Sequence, residues 1–281
     1  MPALPEVEII RRDLEKEVIG RRFKEVEVRP GSNAMKIIKR HGRRREFQEL
    51  LSGARVDSIE RIGRRLVLRL DNERVLVIDL GDSALLLKTS ASDGLASHTH
   101  LVFGFTIGGQ LRVVDPKLTG EVFVIDRVGL DELEDLRAYT IDPLESPLAW
   151  QHFSSLLERR HEAMKELLLD DGFICGLGDI YSDEVLFVAG IRYDRPSNKL
   201  SSQDVRRLLR GLMETLQDAV KARGTTWGDS DFRDLQGNPG QFQLELKVYE
   251  REGEPCRRCR HAIVRGTFDG GITYFCPQCQ T

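Results

Sequence analysis

The sequence predicts an α+β multidomain protein with an N-terminal β-sandwich and flanking helices, a helical domain, and a C-terminal zinc-binding β-hairpin. Three observations predict this fold. Short alternating or β-branched runs fill the first part of the chain, and a 3.6-residue apolar period replaces them from about residue 130. Two Cys-x-x-Cys pairs stand near the end. At 281 residues the chain is long enough for two cores and a small appended module.

The first part of the chain opens with a predicted helix over Pro5–Gly20, with proline in its first turn and glycine at its end. A further helix is predicted near 44–52. Short runs separated by turn residues predict eight strands, typical of a β-sandwich or barrel-like domain: 22–29, 54–61, 64–70, 74–80, 84–88, 99–107, 110–115 and 121–126.

The second part reads as helical, and the domain boundary falls near 130–145. Helices are predicted near 131–138, 148–158, 161–169, 180–188, 201–222 and 231–235. The predicted domains are therefore 1–137, 138–240 and 241–281. Within the second of them, Gly176 and Gly178 lead into a helix, so backbone N–H groups there can point at a phosphate. From spacing alone, a plain connection between helices explains these glycines better.

The strongest local signal is the cysteine pattern Cys256-x-x-Cys259, sixteen residues, Cys276-x-x-Cys279. Two such pairs predict four thiolates around one tetrahedral, structural Zn²⁺ with no open position for catalysis. The residues between the pairs alternate in two runs, which predicts a β-hairpin. A redox dithiol is the alternative, but it does not account for two matched pairs.

Composition and charge indicate which partners and which cellular location to expect. The net charge is −3, yet basic residues cluster at Lys36–Arg45, at Arg61, Arg64 and Arg65, at 206–210 and at 257–260. Such clusters can form a local phosphate-binding face, although solvated helix faces explain any one of them equally well. No run is long and apolar enough for a membrane span, and the N-terminus does not read as a signal peptide. We therefore expect a cytoplasmic protein, associated with the nucleoid if it binds DNA, and we expect it to be a monomer.

Four segments, taken together and in order, identify a family. The chain begins MPALPEVE, carries LLLDDGFICGLGDIYSDEVLF, enters its first cysteine pair through GNPGQFQLELKVYEREGEPCRRC, and ends with the second pair. These segments resemble the Fpg/Nei family of DNA glycosylases, with its MPELPEVE start, its helix–two-turn–helix motif GxGNIYxxE and its zinc finger. The resemblance covers essentially the whole chain and makes the second domain a helix–two-turn–helix domain.

The resemblance implies a base-excision-repair protein that everts a damaged nucleotide from double-stranded DNA. Members excise oxidised bases and then cut the strand at the abasic site. Their nucleophile is the secondary amine of an N-terminal proline, which forms a Schiff base at C1′ of the sugar. Here that residue is Pro2, and removal of Met1 is needed to free its amine. A residue that merely permits processing is the alternative interpretation of Pro2.

The main departure from the family lies directly after this proline. The family has a glutamate there that acts in proton transfer, whereas this chain has Ala3. General acid–base assistance is typically worth about 10²–10⁴ in rate. Glu6 matches another family glutamate and is expected to be a supporting carboxylate of the catalytic site. Base excision is therefore expected to be weakened.

The resemblance also implies DNA contacts, several of them altered. Expected DNA-binding residues are Arg64 in place of a hairpin lysine, His98, Lys117, Lys165, Asp179 in place of an asparagine, and Tyr181. Residues that fill the gap left by the everted nucleotide are replaced by Asp82, Lys117 and Thr119. Gly271 stands where the zinc hairpin of the family carries a phosphate-gripping arginine. A catalytically silent relative that binds DNA or abasic sites is therefore the alternative function.

Overall fold

The computed structural model describes residues 2–130, 132–228 and 232–281. Two compact units make up the chain. Unit 1 contains Met1–Arg137 together with Ala222–Gln241, and unit 2 contains Ala138–Lys221 together with Phe242–Thr281. The division into three domains at 137 and 240 stays a prediction from the sequence.

Unit 1 is a β-sandwich of two four-stranded antiparallel sheets, so the predicted fold class is confirmed. One sheet has the order β1-β6-β7-β5 and the other β2-β3-β4-β8. The strands are β1 Phe23–Val28, β2 Val56–Ile62, β3 Arg65–Leu70, β4 Arg74–Asp79, β5 Leu85–Thr89, β6 Thr99–Phe105, β7 Gln110–Val114 and β8 Glu121–Asp126. Each overlaps one of the predicted runs because alternating apolar residues bury one face of each sheet in a shared core.

Three helices flank the sandwich: α1 Leu4–Val18, α2 Ser32–Ile37 and α3 Arg44–Leu51. In α1, Val7, Ile10, Leu14 and Val18 recur on one face and enter the core of the sandwich. The short helix α2 was not predicted, because six residues are too few for a clear apolar period.

The helix predicted near 231–235 is wrong over residues 232–235, which the structure places in an irregular segment and turn. Asp231 lies outside the described residues. The physical reason is Asp234, whose carboxylate accepts hydrogen bonds from the backbone N–H groups of Gln236 and Asn238. This local bonding stabilises a turn in place of a helix. The helix predicted at 131–138 reduces to a 3-10 turn at Glu134–Arg137, and Asp131 is likewise outside the described residues.

Unit 2 contains α4 Trp150–Leu157, α5 Met164–Leu169, α6 Gly178–Ala189 and α7 Ser202–Lys221, followed by the hairpin β9 Val264–Phe268 and β10 Gly271–Phe275. The helices follow the predicted segments, and the two strands pair as the sequence predicts. Among the described residues, no helix has the length and apolar character needed to cross a membrane.

Candidate active site and zinc centre

The start of α1 is fixed by a single buried carboxylate. Glu6 is 3% exposed, and its Oε2 accepts a hydrogen bond from the backbone N–H of Ala3 at 3.0 Å. Its Oε1 accepts another from the backbone N–H of Thr225 at 2.8 Å. Glu6 therefore holds together the chain start, where Pro2 is buried, and the segment 222–241. Met1, whose removal would free the Pro2 amine, lies outside the described residues.

The next glutamate of α1 is held by three arginines. Glu8 accepts hydrogen bonds from Arg11, from Arg12 at 2.7 Å and from the buried Arg61 at 3.2 Å. Burial alone would raise the pKa of Glu8, but hydrogen bonds from Arg11 and Arg12 and the charge of Arg61 hold it below its ordinary value. A carboxylate kept ionised and surrounded by cations is poorly suited to deliver a proton.

One end of unit 1 brings together the predicted DNA-binding residues of that unit. Arg64 lies in the turn between β2 and β3, and the next residue, Arg65, pairs with Asp79 at the end of β4 at 3.0 Å. Asp79 also accepts a hydrogen bond from the backbone N–H of Gly81, at the start of the following loop. Arg64 and the loop after β4 therefore lie at the same end of the sandwich.

The loop before β8 joins this end through Asp115 and Thr119. The carboxylate of Asp115 accepts hydrogen bonds from the backbone N–H groups of Lys117 and Gly120, and its own backbone N–H donates to the carbonyl of His98 at 3.0 Å. Thr119 Oγ1 accepts a hydrogen bond from the backbone N–H of Asp82 at 2.9 Å. The exposed His98 and Lys117 thus lie near each other, with Asp82 in the adjoining loop.

A cleft of about 580 Å³ adjoins His98. The described residues that line it include no carboxylate, and its polar lining includes Arg29, Asn33 and His98. A concave surface of this composition favours anions such as phosphate.

In unit 2, the structure buries two of the residues predicted to contact DNA. Lys165 is 0% exposed, and its Nζ donates to the Asp179 carbonyl at 2.9 Å, to Ser182 Oγ at 2.7 Å and to Asp183 Oδ1 at 2.7 Å. These bonds use all three ammonium protons. Tyr181 is 1% exposed, with its ring 5.6 Å from that of Phe242. Their contact with DNA stays a prediction, and the geometry assigns both of them a structural role.

Asp179, the third residue of this group, occupies an exposed position. It lies in the first turn of α6, with 63% of its side chain exposed. A carboxylate there is favoured by the helix dipole, because its negative charge faces the positive N-terminal end of the helix. The same charge opposes a phosphate at this helix N-terminus.

The zinc hairpin is joined to α6 by another buried carboxylate that the sequence did not reveal. Asp183 is 1% exposed, and besides Lys165 it accepts hydrogen bonds from Thr273 Oγ1 at 2.5 Å and from the backbone N–H of Tyr274 at 2.8 Å. On a helix an aspartate two positions after a tyrosine carries no signal of such a role. Its partners follow about 90 residues later and become neighbours only in the folded unit.

The four predicted zinc ligands converge. The Sγ atoms of Cys256, Cys259, Cys276 and Cys279 all lie within 4.8 Å of one another. The Cys256–Cys279 and Cys259–Cys276 sulfur separations are 3.9 and 3.4 Å. Zn–S bonds of about 2.3 Å in a tetrahedron place sulfurs about 3.8 Å apart, whereas a disulfide requires about 2.05 Å. The donor set and its spacing therefore fit one structural Zn²⁺.

At the turn of the zinc hairpin, Gly271, the position where the resemblance implies an arginine, lies close to an aromatic ring. A Cβ added at Gly271 would lie 3.0 Å from the ring of Phe268. That ring also lies 5.8 Å from Lys165 Nζ. A side chain at position 271 would therefore require a small shift of the Phe268 ring.

The segment 222–241 is bound to the rest of unit 1 by ion pairs that no sequence pattern predicted. Arg223 forms a two-point ion pair with Asp13 of α1 and a second ion pair with Asp234 at 2.6 Å. The hydrogen bonds that Arg223 donates to Asp13 and Asp234 raise its pKa further above the ordinary value. Asp13 and Arg223 are 210 residues apart, so no local pattern links them.

Comparison with known proteins places this geometry in a family. Three family models match consecutive parts of the chain: the formamidopyrimidine-DNA glycosylase N-terminal domain over residues 1–122, the formamidopyrimidine-DNA glycosylase H2TH domain over 140–231, and the zinc finger found in FPG and IleRS over 253–281.

Relatives that match over the whole chain, and solved structures, indicate the same family as the three models. The formamidopyrimidine-DNA glycosylase of Bacillus licheniformis is 36% identical, with 100% of this chain and 99% of that protein covered. That of Pelotomaculum thermopropionicum is 35% identical over the same shares. MutM (FPG) from Thermus thermophilus has a TM-score of 0.84 at 33% identity, covering 99% of this chain and 98% of that one. Lactococcus lactis Fpg in complex with abasic-site DNA has a TM-score of 0.87 at 27% identity, covering 99% of both chains. The chain therefore belongs to the formamidopyrimidine-DNA glycosylase family.

Proposed function

We propose that this protein acts on oxidised and abasic double-stranded DNA, with Pro2 as its nucleophile, and that it cuts abasic sites faster than it excises bases. The observation that carries the proposal is the engagement of both glutamates on the first turns of α1. Glu6 accepts two backbone hydrogen bonds, and Glu8 is held by three arginines. Neither replaces the carboxylate missing at Ala3.

The lyase step can run without that carboxylate. At an abasic site, the Pro2 amine adds to the C1′ aldehyde and water leaves, which gives an iminium. Loss of a C2′ proton to solvent then expels the 3′-phosphate, with the iminium as electron sink. Hydrolysis finally regenerates the amine.

Base excision depends more strongly on the missing group. The damaged base must leave C1′ while the sugar ring oxygen gains a proton, and general acid assistance is worth about 10²–10⁴ in rate. We therefore expect excision of oxidised bases to lag behind strand cleavage at sites that are already abasic.

The DNA-binding part of the proposal rests on relatives and on charge. Solved structures of Lactococcus lactis Fpg contain DNA with an abasic site or with Fapy-dG. In this chain, Arg64, His98 and Lys117 lie at one end of unit 1 and offer cationic or neutral groups to phosphates. A cytoplasmic, nucleoid-associated location and a monomeric state stay predictions.

Borohydride trapping on a duplex with one abasic site tests the proposal. The protein, with N-terminal mass first confirming removal of Met1, should form a covalent adduct and cut the strand. Pro2→Gly, with the secondary amine removed, should lose most of the adduct while still binding the duplex. An undiminished adduct in Pro2→Gly would place the nucleophile elsewhere. Binding without any adduct would show a catalytically silent abasic-site binder and contradict the proposal.

A further inference from the structure

A buried arginine lies between the helix that follows Pro2 and the turn that carries Arg64. The side chain of Arg61, the penultimate residue of β2, is 3% exposed. Its Nε lies 3.2 Å from Glu8 Oε2, and its Nη1 donates to the carbonyl of Gly63 at 2.6 Å. One guanidinium thus contacts both α1 and the β2–β3 turn.

The carbonyl that Arg61 binds belongs to the central peptide of this hairpin turn. Ile62 pairs with Arg65, so Gly63 and Arg64 form a two-residue turn, and Gly63 has φ +55°. The two turn types common in such hairpins, I′ and II′, differ by a flip of the peptide between the two central residues. Here that is the peptide joining Gly63 to Arg64. A donor fixed on its oxygen selects one orientation.

We propose that Arg61 is a positioning residue that fixes the Gly63–Arg64 peptide and thereby directs the Arg64 guanidinium towards a DNA phosphate. Glu8 holds Arg61 in place, so the phosphate ligand of the hairpin and the helix that follows the nucleophile share one rigid frame. This inference rests on the proposed function, since it assigns a use to the contact of Arg64 with DNA.

An arginine suits this role better than a lysine. The planar guanidinium has five N–H donors in fixed directions, so one edge can bind a carboxylate while another binds a carbonyl. A lysine would keep the charge beside Glu8 but would hold its donors on a single nitrogen. Arg61→Lys therefore preserves the ion pair while weakening the bond to Gly63.

A double-substitution cycle tests the proposal. Affinity for an abasic-site duplex is measured over a range of salt concentrations for the unmodified chain, Arg61→Lys, Arg64→Ala and the double variant. Arg64→Ala should weaken binding and lower the salt slope by about one phosphate contact. Arg61→Lys should weaken binding by about threefold to tenfold, yet change affinity less than about twofold once Arg64 is absent, because the two act through one contact.

A matched control lies on the same sheet. Arg69 of β3 forms a two-point ion pair with Glu60 of β2 through Nε at 2.6 Å and Nη2 at 3.0 Å, away from the turn. Arg69→Lys should leave the affinity and the salt slope unchanged. If Arg61→Lys does not fold, Glu8→Gln, which keeps the shape but removes the charge that holds Arg61, takes its place in the cycle.

The outcomes separate this inference from the proposed function. Equal losses from Arg61→Lys with and without Arg64, or no loss in either case, would overturn the positioning role while the function stands. If the unmodified chain binds no DNA, the proposed function fails. Amide hydrogen exchange at Arg64 and Arg65 then still tests the turn in the DNA-free protein. Exchange that is faster in Arg61→Lys than in Arg69→Lys supports the role, and unchanged exchange overturns it.

Discussion

By the resemblance to the family, Ala3 at the N-terminus and Gly271 in the zinc hairpin each stand where a charged residue is expected, but the two positions differ in what surrounds them. At the N-terminus the group missing is a carboxylate, and the neighbouring Glu6 and Glu8 remain bound to their own partners. At the hairpin the group missing is an arginine, and the ring of Phe268 lies against Gly271. The first position is therefore bordered by carboxylates that already have partners, whereas the second is bordered by an aromatic ring.

This difference affects whether function returns when the expected side chain is put back. A position whose neighbours are all engaged elsewhere can regain its function when the missing group is restored, because nothing else has to move. At position 271 a new Cβ would lie 3.0 Å from the Phe268 ring, so that ring has to shift by a few tenths of an ångström. We therefore expect a large gain in function when the charged side chain is restored at position 3 and a small gain when it is restored at position 271.

The largest expected effect comes from removing the metal, which tests whether the zinc hairpin needs the ion to stay folded. Cys276→Ser should lose bound zinc and unfold the finger, because structural Zn²⁺ supplies about 10–16 kcal/mol in small zinc-finger peptides. Metal content and hydrogen exchange across β9 and β10 measure this. Cys175→Ala is the control, since Cys175 lies outside the metal site and should retain zinc. Full zinc content in Cys276→Ser would disprove the assigned ligand set.

Restoring the N-terminal carboxylate should have the next largest effect. Ala3→Glu should raise single-turnover excision of an oxidised purine by up to about 10²–10⁴, the range for general acid–base assistance. Ala3→Gln, similar in size but unable to transfer a proton, is the control. An equal gain in both variants would mean that size alone was limiting, and no gain in Ala3→Glu would locate the defect elsewhere.

The smallest expected effect is that of Gly271→Arg alone. Because the new Cβ would lie 3.0 Å from the Phe268 ring, the arginine is strained unless that ring shifts, and affinity for the abasic-site duplex should rise less than about threefold. In combination with Phe268→Ala, the gain should approach the 1.5–3 kcal/mol that is roughly typical of hydrogen bonds to charged groups. Phe268→Ala alone is the control for lost packing. A full gain from Gly271→Arg by itself would show that the ring moves freely.

Much of the fold followed from the sequence because its signals are local. Short, β-branched apolar runs such as those of β3 and β4 predict buried strands, and two Cys-x-x-Cys pairs are enough to specify a metal centre. The apolar period of α7 likewise predicts a long helix. The helix predicted at 231–235 failed because the side-chain bonding of Asp234 outweighs a weak local pattern.

The roles of individual charged residues did not follow in the same way. Lys165 was expected at DNA from its place in a motif, whereas its contacts with Ser182 and Asp183 place it inside unit 2. Arg61 was only one member of a basic cluster in the sequence, and its buried position against Glu8 and Gly63 gives it a specific use.

The sequence by itself determined the sandwich, the helices and the zinc ligands, because each depends on residue types at short, regular spacing. It also showed directly that position 3 has no carboxylate. Only the tertiary structure decided which charged side chains have hydrogen-bond or ion-pair partners and which small residues lie against a neighbouring side chain. Glu6 meets Thr225, Asp13 meets Arg223 and Gly271 meets Phe268 through folding. The physical reason is that burial and hydrogen bonding depend on neighbours brought together across the chain, and these determine what a charged or small residue can do.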